Sequence, residues 1–469
     1  MATAEIRRSG ESPAPAQPVP SGPSAAARAA HLERRARLIE QLRAAAAPPR
    51  LDKEISNLFR ERERVSAARI DTRAFRHVLA VDPSAGTVEV EGMCPYGELV
   101  DATLPMGVMP AVVPELMGIT IGGALAGVGI ESSSFRYGLV HETVLEFDMV
   151  TASGEVVTAR PDNEHAELYF GFPNSYGTLG YAVRILAKTI PVKPYVRLEH
   201  RKFRDPEAYY AFLAASCDDP NADFVEGEIF APDRLVVSVG RFVDRAPWTS
   251  DYTFEKIYYK SIQEREEDYL TVRDYIRRWD TDWFWCSKNL GMEIPLVRRL
   301  LGRERLNSRT YTRIMRWANR WNLGKVYDLL GYRSESVIQD VGIPLAKAPE
   351  FLAWFHETIG ILPIWNCPFR AIHPHGFPLF HTPPGALFVN FGFWQPIRRR
   401  EAKPDGWYNR QIEKKVAELG GVKSLYSDSY YPLDEFWQRY DREVYERLKR
   451  RYDPDRRLRD LYEKCVLKR

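Results

Sequence analysis

No uninterrupted apolar run in these 469 residues is long enough to be a regular membrane-spanning helix. The longest candidate, Leu104 to Ile130, is broken by Pro105, Pro110 and Pro114 and carries Glu115 inside it. Charge of one sign is also lacking. Lys plus Arg total 66 against 63 Asp plus Glu, a net +3, so no basic field argues for nucleic acid. Cysteine is scarce. Cys94, Cys217, Cys286, Cys367 and Cys465 are scattered and form no Cys-x-x-Cys pair, a pattern of reduced thiols in a cytosolic protein. The N-terminus has no apolar stretch with a small-residue cleavage site, so no signal peptide is expected, and the location read from the chain is the cytoplasm. There is no internal repeat, no phosphate loop ending in Gly-Lys-Ser/Thr, and no Gly-x-Gly-x-x-Gly between a strand and a helix.

What is present is ordinary globular material: 45% hydrophobic and 28% charged residues, enough for a large core. Its texture changes along the chain. Residues 1–30 are a polar, Pro- and Ala-rich tail. Ser24 is placed to cap a helix in which Leu32, Ile39 and Leu42 share a face, and Pro48-Pro49 stops it. From residue 50 short strands dominate. His77–Asp82 and Thr87–Glu91 read as one hairpin, Leu145–Thr151 and Glu155–Ala159 as another, and Gly177–Ile190 as a turn into a long strand. After Pro194 a second α+β region begins, with strands at Phe224–Phe230, Leu235–Val243, Gln339–Ile343, Gly360–Cys367 and Ala386–Phe393. At the end Leu433, Phe436, Tyr440, Val444 and Leu448 recur at helical spacing. The chain thus divides into 31–195, 196–395 and a C-terminal 396–469, and its fold class is α+β.

Most of the chemistry is concentrated in Pro114-Glu-Leu-Met-Gly-Ile-Thr-Ile-Gly-Gly-Ala-Leu-Ala-Gly-Val-Gly-Ile-Glu-Ser-Ser-Ser134. Gly122, Gly123, Gly127 and Gly129 remove Cβ atoms where backbone must approach a flat or anionic ligand. Thr120 and Ser132 to Ser134 add hydroxyls and amides suited to phosphate and ring heteroatoms. A structural bend rich in glycine would look the same from the sequence alone. His373, His375 and His381 lie in a proline-rich loop with no Cys or carboxylate at ligand spacing, so no metal site is expected. Arg398-Arg-Arg400 reads as a solvated charge run.

The glycine segment resembles the FAD-binding core of the PCMH-type, vanillyl-alcohol oxidase flavoprotein superfamily. More narrowly, Thr120–Ser132 is similar to the flavin segment of the sterol side-chain reductases of the Diminuto type. Gly177-Thr-Leu-Gly180, Phe224-Val-Glu-Gly227, Pro363–Phe369, Leu425–Tyr430 and Tyr452-Asp-Pro-Asp455 with Leu458 resemble later blocks in the same order. The resemblance implies an FAD domain at 31–195, a cap at 196–395 over the isoalloxazine, and a C-terminal segment returning to the FAD domain. It implies cofactor contacts from Ser56, Asn57, Pro114, Thr120, Gly122, Gly123, Gly127, Gly129, Ile130, Glu131, Ser132, Ser133, Gly138, Gly177, Gly180 and Val183. No His or Cys lies between Arg50 and Arg69, so the FAD is expected to be non-covalent. NADPH is expected as a transient reductant, since no nicotinamide domain is visible.

Ser56-Asn-Leu-Phe-Arg60 is more like bacterial relatives that reduce a 10-methylene fatty acyl chain to a 10-methyl branch. The abundance of Arg and Ala points the same way. The resemblance therefore implies a lipid substrate, an acyl chain carried on a phospholipid, with a lipid methyltransferase as partner. A sterol side chain is the alternative, and a flavin oxidase a further one. Reducing such a double bond needs a hydride and a proton, and a carboxyl can give the proton if burial keeps it neutral. Glu226, among Phe224, Val225, Ile229 and Phe230, is the first candidate acid. An ordinary strand carboxylate paired with an arginine reads equally well there. Glu131 and Tyr430 are the others. On Arg313–Trp321, Ile314, Trp317 and Trp321 share one face with Arg313, Arg316 and Arg320 beside it, and Leu296–Leu301 has a similar texture. That is the pattern of a helix lying on the inner membrane surface, or of an aromatic helix packed in a core with snorkelling arginines.

Overall fold

The structure, a computed structural model, describes residues 22–53, 67–320, 331–401 and 403–468. Ser56, Asn57 and Trp321 lie outside these, as do the side chains of Arg316 and Arg320. The first helix, Ala25–Ala44, begins inside the expected tail. Ser24 caps it by accepting from the Ala27 amide. Its buried face is His31, Leu38 and Leu42, whereas Leu32, the residue after His31, is turned off that face and exposed.

Two sheets organise the rest. A short parallel pair, β1 (Pro49–Asp52) and β2 (Ala68–Asp71), precedes the first. That sheet holds β3 (Val78–Asp82), β4 (Thr87–Glu91), β5 (Val108–Pro110), β6 (Val144–Val150), β7 (Val156–Ala159) and β8 (Tyr181–Pro191). Its order is β3-β4-β8-β6-β7, with β5 also paired to β8. Alternating burial along β3 and β4 matches the apolar period of two read from their sequence.

The second sheet holds β9 (Tyr195–Phe203), β10 (Phe224–Ala231), β11 (Arg234–Val243), β12 (Glu267–Thr271), β13 (Arg333–Pro344), β14 (Ile364–Arg370), β15 (Leu387–Arg399) and β16 (Val422–Lys423). Its order is β12-β9-β11-β10-β14-β15-β13-β16, antiparallel throughout. β10 is interior and almost wholly buried, which places Glu226 and Glu228 in the core.

The C-terminal segment does not return to the first domain at residue 396. β15 runs on to Arg399, helix Trp407–Glu418 packs on β13 and β16, and only the chain after β16 crosses back. There the single periodic run breaks in two. Helices Leu433–Arg439 and Arg442–Tyr452 are separated at Asp441, which caps the second by accepting from the Val444 amide. One hydrophobic cluster joins the first domain, residues 252–311 and the final helices, so both sheets are anchored to a shared core. No helix among the described residues is long and apolar enough to cross a membrane.

Candidate active site

A cavity of about 920 Å³ opens between the two sheets. That is near the upper end for ligand sites, room for a dinucleotide-sized molecule. One wall is the glycine-rich segment: Pro114, Thr120, Gly122, Gly123, Gly127, Gly129 and Ile130 all line the cavity, as do Gly177 and Gly180. These nine expected cofactor residues are therefore brought together. The glycines serve packing as well. A Cβ on Gly122 would stand 2.6 Å from the Gly92 carbonyl oxygen, so the segment can lie against the first sheet only without a side chain. A Cβ on Gly123 would meet the Thr120 hydroxyl at 2.9 Å.

The remaining expected contacts turn away. Glu131, Ser132, Ser133, Gly138 and Val183 do not line the cavity. The serines are spent on the turn itself. Ser132 Oγ donates to Glu131 at 2.5 Å, Ser133 Oγ donates to the Ala111 carbonyl at 2.8 Å, and Ser134 Oγ accepts from the Glu131 amide at 3.1 Å. Thr120 Oγ1 likewise caps helix Ile121–Gly127 by accepting from Gly123 at 3.2 Å. Gly138 ends helix Ser134–Tyr137 at φ +74°, hard against Glu142, which is a turn requirement. Val183 is a buried residue of β8.

The three expected catalytic side chains are also elsewhere. Glu226 is surrounded by donors, not by apolar groups. Its Oε1 accepts from Arg278 Nε at 3.0 Å, Arg278 Nη2 at 2.8 Å and Tyr258 at 3.4 Å. Its Oε2 accepts from the indoles of Trp279 and Trp365 at 3.0 and 3.1 Å. Glu131 shares the same arginine, at 3.1 Å. The reading as a strand carboxylate paired with arginine is the one the geometry supports, and Glu226 reaches the cavity wall through Trp365, which lines it, and through Trp279, which stacks on the cavity-lining Phe284 at 4.7 Å. Tyr430 packs on Gly406 and lies off the cavity. The neighbouring turn presents Ser424, Tyr426 and Asp428 instead. It is held by the buried pair Lys423–Glu413 at 2.5 Å, with Lys423 also donating to the Asp428 carbonyl.

Residues the sequence did not single out complete the site. Asp340 of β13 lines the cavity and accepts from Asn390 Nδ2 at 2.6 Å. Burial pushes its carboxyl up to about 6, against hydrogen bonds from Asn390, Tyr426 and Trp394 that oppose the shift. The Tyr426 hydroxyl in turn accepts from Trp394 Nε1 at 2.9 Å. Glu115, the acid inside the glycine-rich stretch, also lines the cavity. Burial, then the nearby Glu131 charge, holds its carboxyl well above the usual range. An acid interrupting an apolar run was the one visible signal for it.

Trp283, Phe284, Trp365 and Trp394 form an aromatic wall, with Phe284 and Trp394 centroids 4.5 Å apart. Trp283 and Phe284 are held at φ +47° and +58°, a strained turn that sets these rings against the cavity. Arg50, Lys53, Arg459 and Lys464 line the cavity too. Leu458 packs with Leu51 and Tyr181 in one cluster, so Arg459 and the β1 cations belong to the same end. Lys449 fixes that end, donating from within the core to Asp453 at 2.6 Å and to the Thr178 and Leu458 carbonyls, both at 2.8 Å. Asp453 itself accepts from the Leu458 amide.

A glycine-rich wall, cations suited to a diphosphate, and an aromatic end fit FAD. Residues 23–160 match the family model described as FAD binding domain. The chain is 27% identical to the delta(24)-sterol reductase of Pisum sativum over 441 residues, covering 84% of this chain and 76% of that protein. It is 29% identical to the delta(24)-sterol reductase of Homo sapiens over 411 residues, covering 82% and 75%. Cytokinin dehydrogenase 7 of Oryza sativa matches at 28% over 156 residues, 32% of this chain and 30% of that protein. Carrying a PCMH-type FAD-binding domain and resembling the sterol reductases over most of its length, this chain is an FAD-dependent oxidoreductase.

Proposed function

We propose that the protein reduces an isolated carbon–carbon double bond of a lipid, with NADPH as the reductant. The observation that carries this reading is Asp340, a carboxyl poised near neutrality on the same cavity as the glycine cradle. Reduced FAD, held by the 114–130 segment, Gly177, Gly180 and the cations around Arg459, would supply a hydride. An unactivated alkene also needs a proton on its less substituted carbon. Asp340 holds that proton, because an acid with a pKa near the working pH both keeps and releases it efficiently. Asn390, Tyr426 and Trp394 fix its orientation. The positive charge then developing on the more substituted carbon falls among Trp283, Phe284, Trp365 and Trp394, whose faces favour a cation and whose bulk excludes water. Glu226 and Arg278 keep Trp365 in place.

The relatives' names favour a sterol side chain as substrate. The 10-methylene acyl chain, with a lipid methyltransferase supplying it, is a second reading that rests on Ser56–Arg60. Both alkenes leave charge on a branched carbon, so the same acid serves either. The test is anaerobic. Protein reduced by NADPH is mixed with a Δ24-unsaturated sterol or with a 10-methylene acyl lipid, and flavin reoxidation is followed. Rapid reoxidation by one of them supports the reading and chooses the substrate. No reoxidation by either lipid, followed by rapid reoxidation once air is admitted, would overturn it in favour of an oxidase.

A further inference from the structure

The inner and outer faces of helix Ser308–Arg320 meet different environments. Thr312 and Met315 line the cavity, while Arg313 and Trp317, one turn apart, face outward. Trp317 is 60% exposed, which excludes the core-packed reading of this aromatic residue. Helix Pro295–Leu301 shows the same division. Its Arg298 is buried and paired with Asp282 at 2.5 Å, while Leu296 and Leu300 are 65% and 77% exposed and Ile294, just before it, 54%. Both helices hang on three consecutive residues: Arg298 on Asp282, Ser308 on Asp280 at 2.5 Å, and Tyr311 on the Thr281 carbonyl at 2.7 Å. Exposed leucines one turn apart on a helix otherwise anchored by a buried ion pair are not explained by folding.

The segment carrying these side chains is rich in arginine, although Arg298, Arg299 and Arg303 are paired with Asp282, Glu255 and Asp251. Between residues 294 and 320 there are eight arginines and no lysine, against one acid, Glu304. Arg305 and Arg313 are exposed. Apolar side chains flanked by arginine are the pattern of a surface that inserts shallowly among anionic headgroups.

We infer that helices Pro295–Leu301 and Ser308–Arg320 form a docking face for an anionic lipid bilayer. Its apolar side chains enter the headgroup boundary, its exposed Arg305 and Arg313 pair with lipid phosphates, and a lipid passes from the bilayer to the cavity along the inner side of the second helix. An α-helix is about 10 Å across with its side chains, so bilayer and cavity would be separated by a single helix. The lipid passage rests on the proposed function; the docking itself does not.

The test uses the full-length FAD-loaded protein with vesicles of phosphatidylcholine alone or mixed with phosphatidylglycerol, and with neither NADPH nor substrate. Flotation with the mixed vesicles, weaker at high salt, is expected. The triple variant Leu296→Ser/Leu300→Ser/Trp317→Ser should lose at least about tenfold in vesicle affinity, since each large apolar side chain kept from water is worth more than one decade. These residues are exposed, so flavin content and Tm should stay at wild-type values. Arg305→Glu/Arg313→Glu is the independent second variant and should weaken only binding to the anionic vesicles. Equal flotation of wild type and both variants, or no flotation with anionic vesicles, would overturn the proposal. Reduction of detergent-dispersed lipid without vesicle binding would sink the docking face and leave the reductase reading standing. Vesicle binding with no lipid able to reoxidise the flavin would do the reverse.

Discussion

Arg278 reaches Glu226 with two nitrogens, at 3.0 and 2.8 Å, and Glu131 with the second of them at 3.1 Å. Its guanidinium also lies 3.9 Å over the Tyr275 ring. One buried cation thus ties β10 of the large sheet to the far end of the glycine segment. Arg278→Met leaves two buried carboxylates facing each other's charge. It should cost about 3–5 kcal/mol of stability, read as a large drop in Tm and in flavin retained after purification. Glu226→Gln keeps an acceptor for both indoles. It should lower Tm while leaving the rate of lipid-driven flavin reoxidation within a few-fold of wild type, the opposite of what a proton donor would show.

Asp340→Asn should behave as that donor. NADPH should still reduce the flavin, and reoxidation by lipid should slow by about two to four orders of magnitude. The pH profile follows from a carboxyl raised to about 6. It is protonated and competent below that value, and its proton is lost above it. The lipid step should therefore fall as pH rises through about 6, and the Asn variant should lose this limb. If Glu115→Gln slows the step instead and Asp340→Asn does not, the donor is Glu115.

Lys449→Met should weaken the cofactor without touching it. The buried ammonium collects Asp453 and the Thr178, Leu458 and Arg459 carbonyls, and so positions two residues that line the cavity. A raised dissociation constant for FAD is the expected result, together with faster tryptic cleavage after residue 440. Unchanged FAD affinity would show that the strap is not needed to shape that end.

Release of the flavin by acid precipitation is expected, because the cavity-lining thiol is inert. Cys286 lines the cavity, but burial pushes its pKa up to about 12, so it stays a thiol at neutral pH. Cys286→Ser should carry the same amount of releasable flavin. Gly122→Val should yield little folded protein, since its side chain would collide with the Gly92 backbone.

Both early hairpins, the strands β8, β10, β11 and β15 and the cavity-lining glycines were legible in the sequence because period-two burial and missing Cβ atoms leave local marks, whereas β9 (Tyr195–Phe203) and β12 (Glu267–Thr271) were not read as strands. Partner choice leaves none. Ser132 to Ser134 offered hydroxyls for a ligand, yet the turn at Glu131–Ser134 uses them first. Glu226 reads as lying among apolar strand neighbours, and its arginine stands 52 residues on. Leu433 to Leu448 keeps helical spacing across a break at Asp441, whose φ of +28° no periodicity reports. Asp340 reads as one residue of an alternating strand. Only the meeting of β13 with Asn390 of β15 and with Tyr426 makes it an acid worth testing.

The cavity is walled by residues as far apart as Pro48 and Lys464. Such a site has no local precursor. Its walls come together only when contacts spanning most of the chain have formed, a slow and entropically costly step. FAD would then bind a nearly finished fold and hold distant segments together, adding stability in proportion to the logarithm of its concentration over its dissociation constant. A cell short of flavin would accumulate a chain whose first and last segments come apart easily, and the abundance of the protein, not only its activity, would follow the flavin supply.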